Sequence, residues 1–471
     1  MTESNSSKSV IMIKLVVIGF LVFILMIPAL SIMGLVQERQ SRRDEAVKEV
    51  TSKWGDKQTL VGPILTVPYK VKEENVETVK YANFLPENLN IAGNLEPKML
   101  NRGIYNVTAY KADLKFEGKF LQPNFQELNI PASSIIWQDA YLSIGFPDMR
   151  GLNENIVIKW NGKDYQAMPN SGSQLLTYIK SNITKTENLE QADGGEQGNG
   201  YSSPDEVKSG ASVRIPLNAT STPSAAYNYS FAININGGEQ LNFVPIGGQT
   251  NVTLTSSWQN PSFGGAFIPT EREINKDGFK AQWKILELNR NFGQNWLGNS
   301  DSTILGSTFG VRLIVPVDEY QKNMRSVKYA IMLIVLSFII FFFVEVFNEI
   351  RIHPIQYLLV GFALLLFFTL LLSISEHLGF NLAYLIASFA TISLVVFYVK
   401  NIFKSTKLTS MLGGILVLIY LFIFTIIQLQ DYALLMGSIG LFIVLSLVML
   451  VSRKVNWYAI EVGKGTAKKQ E

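Results

Sequence analysis

The sequence predicts a membrane protein of the α+β class: six transmembrane helices, with a large β-rich domain inserted between helix 1 and helix 2. Three observations predict it. One apolar block long enough to cross a bilayer stands near the start of the chain, and five more follow in its last third. Residues 37–326 between them have the composition of a soluble domain. Within that stretch the apolar residues recur with period two, the signature of half-buried strands.

The composition agrees. Of 471 residues, 48% are hydrophobic and only 17% charged, and the mean hydropathy is +0.19. A soluble domain carries about 25% charged residues, and the deficit is local, because the apolar blocks hold almost none. A net charge of +3, with Lys and Arg flanking apolar blocks and forming no single patch, is too small to argue for nucleic acid, and none is expected as a partner. The absence of cysteine excludes disulfides, thiolate metal sites and a cysteine nucleophile.

The spans run Val10–Val36, Val327–Phe347, Ile355–Ile374, Leu382–Val399, Met411–Leu429 and Tyr432–Val451. The first is an uncleaved signal anchor, since its apolar run exceeds the h-region of a cleaved signal peptide. Six crossings place both termini on one side, and the bias of Lys and Arg toward cytoplasmic loops makes that side the cytoplasm. Lys8, Arg351, Lys400, Lys404, Lys407, Arg453 and the basic tail 452–471 then lie inside. The short outer loops, 375–381 and 430–431, hold no Lys or Arg but do hold Glu376 and Asp431. Arg39, Arg42, Arg43, Arg325 and Lys328 fall outside, at the ends of a long translocated segment where the charge rule is weak.

The outer domain opens with a solvated stalk helix over Glu38–Trp54. Strands are expected at Ile64–Val67, Tyr105–Phe120, Ile156–Trp160, Tyr229–Ile235, Val252–Trp258 and Phe309–Val315. Gly237-Gly238 and Gly247-Gly248 read as hairpin turns. The domain is then a sandwich or two packed halves. Thr184–Gly210, poor in large apolar residues, reads as a mobile loop or a linker.

Candidate chemistry is sparse. His353 and His377 flank the third span and stand about 36 Å apart at 1.5 Å per helical residue, so they share no metal. Glu376, His377 and Asp431 are candidates for a pH- or cation-sensitive cluster on the outer face, or else polar loop residues that keep helix ends in water. Glu345, at the edge of an apolar block, is either a functional intramembrane charge or a side chain reaching the interface. Arg351 precedes His353 in the short inner turn. Gly413-Gly414 suits close helix packing. No G-x-S-x-G elbow is present, and the outer domain holds no histidine to activate a serine. Neither cofactor nor catalytic residue is expected.

Several stretches resemble one family. Arg43–Gly55, with Gly62-Pro63-Ile64-Leu65-Thr66-Val67-Pro68-Tyr69, resembles the CreD family, and so do Arg351–Gly361, Leu372–Ile386, Gln430–Ser438 and Arg453–Tyr458. Order and spacing match along nearly the whole chain, least well between Val71 and Phe231. The resemblance implies a bacterial inner membrane, a periplasmic β domain and a role in envelope integrity and colicin tolerance. It supplies no catalytic residue. The expected function is therefore a non-enzymatic envelope-integrity protein acting through a tethered periplasmic domain. Its partners are the bilayer and an envelope protein of unknown identity. A transporter or channel, and an envelope scaffold or stress sensor, are the other readings.

Overall fold

The computed structural model describes residues 5–73, 76–169, 209–215, 217, 226–298, 303–314, 319–348, 350–429 and 432–453. The chain forms two compact units, one of Met1–Arg43 with Val317–Glu471 and one of Asp44–Pro316.

The first unit is helical. Helix α1 spans Asn5–Trp54, so anchor and stalk are one unbroken element that continues into the second unit. Next come α2 (Glu319–Lys328) and α3 (Ala330–Asn348), then α4 (Pro354–Leu378), α5 (Phe380–Phe403), α6 (Thr406–Gln428) and α7 (Ala433–Ser452). Among the described residues six helical segments are long and apolar enough to cross a membrane, α2 and α3 together supplying one of them. The sequence did not announce α2. It is short and charged, and it buries Tyr320, Asn323, Ser326 and Val327 on one face.

Helix ends explain the tight connections. His353 is the N-cap of α4 and Pro354 its first residue, a position where the missing N–H costs nothing. The His353 ring accepts the Ile355 N–H, and Gln356 returns a bond to the His353 backbone. Gly379, at φ 75°, is all that separates α4 from α5. The expected outer loop 375–381 is thus corrected: Glu376 and His377 belong to the last turn of α4. Small residues seat the helices. Gly361 of α4 leaves room for Leu25 of α1, and Gly440 of α7 for Phe422 of α6. Of the glycine pair in α6, only Gly413 abuts a neighbour, Val396; Gly414 faces open space.

The second unit is two β-sheets. One holds β1 (Gln58–Glu73), β2 (Val76–Phe84), β5 (Tyr141–Phe146), β8 (Met168–Pro169), β9 (Ser209–Arg214), β11 (Gln240–Phe243), β13 (Pro261–Gly265), β16 (Asn295–Leu297) and β17 (Phe309–Leu313). Its order is β13-β17-β11-β1-β5-β9-β8, with β2 and then β16 also attached through β1. The other holds β3 (Asn88–Arg102), β4 (Tyr105–Leu121), β6 (Val157–Trp160), β7 (Lys163–Gln166), β10 (Ala226–Gly238), β12 (Gln249–Ser256), β14 (Glu271–Asn275) and β15 (Gly278–Leu286). Its order is β14-β15-β12-β3-β4-β10-β6-β7. Strand β1 runs parallel to β11 and β12 parallel to β3, and every other pair is antiparallel.

Alternation decides which face is dry. Along β12 every second residue is buried, and the other face carries amides that bond across strands, such as Asn251 to Asn90 at 2.8 Å and Asn234 to Asp113 at 2.6 Å. One core cluster draws from both sheets. Trp283 of β15 lies 5.7 Å from Phe263 of β13 and 5.6 Å from Phe309 of β17. The sheets therefore pack face to face as a sandwich.

The glycine pairs do something other than expected. Gly237 and Gly238 stay in β10, paired with Tyr110 and Ala109, and the chain then crosses to β11 in the other sheet. Gly247-Gly248 likewise links β11 to β12, which lie in different sheets. Neither pair closes a hairpin. The expected loop 184–210 lies outside the described residues except for Ser209 and Gly210, which open β9.

Candidate functional site

The helical unit carries two polar clusters, one toward each end of its helices. The first is built on Glu345, near the end of α3. Its side chain is 5% exposed, and carboxylate oxygens that deep in an apolar unit need hydrogen-bond donors to match them. Three elements supply them. Lys14 Nζ of α1 donates to Glu345 Oε1. The Ile352 N–H donates to the same oxygen at 3.1 Å, and the Tyr357 hydroxyl of α4 to Oε2 at 3.0 Å. Phe338 and Phe341 pack on the Tyr357 ring with centroids at 5.3 and 5.8 Å, which fixes the phenol. Glu345 therefore does not reach out to the interface as an isolated charge; it is the hub that joins α1, α3 and α4.

The second cluster gathers around Glu376. The Tyr320 hydroxyl of α2 donates to Glu376 Oε1 at 3.0 Å, and Arg39 Nη1 of α1 stands 3.9 Å from Oε2. The Arg43 guanidinium lies 5.8 Å from the Tyr320 ring centroid, within cation–π range. Beside it, Asn323 donates to Ser375 Oγ at 2.8 Å, and Lys322 to Gln428 Oε1 at 3.1 Å. Lys14 and Arg39 are 25 residues apart on one helix, about 37 Å at 1.5 Å per residue. That separation slightly exceeds a hydrocarbon core of about 30 Å. The two clusters thus bracket the apolar length of α1.

The sequence candidates divide accordingly. Glu345 and Glu376 are centres of clusters. His353 is a cap, and Arg351 and His377 are exposed. His353 and His377 sit at opposite ends of α4. Asp431 lies outside the described residues. Sequence reasoning missed Lys14, Tyr357, Tyr320 and Arg39 as partners. A signal did exist for Lys14: it is the one charge inside the first apolar block, and a charge there demands a counter-charge at the same depth.

The β unit offers a cavity of about 430 Å³ lined by Met149, Leu152, Asn153, Glu154, Ile156 and Met168, among others. Among the described residues that line it, Glu154 is the one that carries a charge. Among the described residues no group of three His, Asp or Glu is placed to hold a metal.

A family model described as "Inner membrane protein CreD" matches residues 10–458. The curated "Inner membrane protein CreD" of Escherichia coli (strain K12) is 31% identical over 458 residues, which cover 95% of this chain and 94% of that one.

Proposed function

The chain belongs to the CreD family of multi-pass inner-membrane proteins, and from that premise we propose that it supports cell-envelope integrity without enzymatic activity, through a β domain held at the periplasmic face by membrane helices at both of its ends. The supporting observation is α1. One helix from Asn5 to Trp54 carries the anchor and enters the β unit. There it is rooted by Glu49, which accepts two bonds from Arg102 at 3.2 and 3.1 Å, and by Trp54, whose Nε1 donates to the Tyr110 carbonyl at 3.3 Å. A helix so fastened is suited to carry force or position, not to act as slack. The proposed orientation keeps both termini cytoplasmic, in line with the Lys and Arg bias of the short loops. An envelope protein that meets the sandwich is the proposed partner.

The test is envelope permeability and drug sensitivity in a deletion strain. The full chain restores both. A chain with a flexible glycine-serine insertion after Gln40, which interrupts α1 alone and leaves the other helices and the strands as they are, fails to restore them. Full rescue by that insertion would refute action through a stiff tether. A second reading, transport, draws on the Lys14–Glu345 pair, whose carboxylate is buried, because intramembrane charges mark ion and substrate paths. Solute flux into vesicles that disappears in E345Q would favour it.

A further inference from the structure

Helix α2 lies across the ends of three membrane helices. Its Tyr320 and Asn323 bond Glu376 and Ser375 in the last turn of α4. Its Lys322 stands 5.5 Å from the ring centroid of Phe380, the first residue of α5. The spans end at this level, where the headgroups of a bilayer begin. Lys322 and Arg325 are both half-buried, and their partners set them apart. Lys14 and Arg39, also half-buried, each face a carboxylate. Lys322 Nζ instead donates to Gln428 Oε1 at 3.1 Å, and Arg325 Nη2 to the Ile426 carbonyl at 3.5 Å. Both acceptors are neutral, and among the described residues neither cation has a carboxylate partner. Both belong to the last turn of α6, where the free carbonyls carry about half a negative charge. Two full positive charges at this place are therefore undercompensated.

We propose that Lys322 and Arg325 bind the phosphate of an anionic phospholipid where α2 crosses the ends of α5 and α6. Residues three apart on a helix stand about 5–6 Å apart at Cβ, so one phosphate meets both. The ammonium binds it as a point charge and the guanidinium as a planar fork. A choline headgroup brings a further cation to two that already lack a counter-charge, so electrostatics selects a headgroup of net negative charge. Deeper along the same helices, α5 exposes Leu382, Leu385 and Phe389, and α6 exposes Leu418 and Leu421. That apolar wall suits acyl chains and has no use for a free phosphate. The lipid supplies the negative charge that the chain itself omits at the contact of α2 with α6.

Native mass spectrometry of the full chain in a neutral detergent, titrated with phosphatidylglycerol or phosphatidylcholine, reads the site directly. Phosphatidylglycerol binds the natural chain more tightly than phosphatidylcholine does. K322Q and R325Q each lower its apparent affinity about fivefold, and K322Q/R325Q about thirtyfold, the effect of removing one and two basic groups beside an anionic headgroup. R42Q removes an exposed cation that Glu38 already pairs, and it leaves the affinity unchanged. Inorganic phosphate does not displace the lipid. Each single variant keeps one of the two bonds to α6, and K322R/R325K, which keeps both charges, retains the affinity; these guard against a double variant that fails to fold. Equal affinity for the two lipids, or affinity indifferent to the glutamine variants, would overturn the proposal and leave the two cations as caps on α6 alone. Displacement of the lipid by inorganic phosphate would overturn it in favour of a free-anion site.

Discussion

At Glu345 a single carboxylate accepts from Lys14, Ile352 and Tyr357, so its removal strands three donors. E345A is expected to lower the stability of the helical unit by about 2–3 kcal/mol, the cost of leaving the buried Ile352 N–H and Tyr357 hydroxyl without an acceptor. The swap K14E/E345K should recover part of that loss, as read by thermal unfolding in nanodiscs. In the β unit, Asp148 shows the opposite balance of forces. Burial alone would raise its pKa, but the Arg150 side chain, the Arg150 N–H and the Arg150 charge outweigh burial and hold it below the usual carboxylate value. A carboxylate with a depressed folded pKa stabilises the fold above its unfolded pKa of about 3.9 and loses that contribution as pH falls through the folded value. D148N should therefore be less stable than the natural chain at neutral pH, and the gap should narrow progressively as pH falls below about 4. A gap that does not narrow with falling pH would contradict this. Arg290 is a buried cation clasping the sheet-to-sheet crossover. Its Nη1 donates to the Ile246 carbonyl at 3.1 Å and its Nη2 to Gln294 at 2.7 Å, and burial pulls its pKa down to about 10. It stays charged at neutral pH, and R290A should cost about 2–3 kcal/mol through lost charge-assisted bonds.

Between elements, the seating of α1 rests on the absence of a side chain at Gly361, where a Cβ would run into Leu25. G361V should displace α1 or lower thermal stability by about 1–3 kcal/mol, the usual cost of overpacking. Combining it with L25A should relieve most of the loss. The element scale also shows what the sequence could disclose. Spans were legible because lipid penalises charge so strongly that uncharged runs mark them. Strands such as β12 and β10 were legible because one face is wet and one dry. The glycine pairs misled because glycine serves two purposes. In β10 it lets Tyr110 lie against Gly237 and Thr51 against Gly238, a close approach that local sequence cannot distinguish from a turn. The Lys14–Glu345 pair spans 331 residues, and Arg39 meets Glu376 at similar remove. No local pattern encodes such partners, so Glu345 and Glu376 could be named from sequence while their roles could not.

For the whole molecule, the chain passes between a helical unit and a β unit twice, and at the first passage one helix, α1, contributes residues to both. The proposed envelope role requires the sandwich to stand on the periplasmic side. The absence of native cysteine makes the topology directly readable. Leu288 is 94% exposed on the β unit, so L288C presents a thiol without disturbing the core. In intact spheroplasts a membrane-impermeant maleimide should label L288C as fully as it does after lysis. Labelling that requires lysis would put the β unit in the cytoplasm and contradict the proposed function.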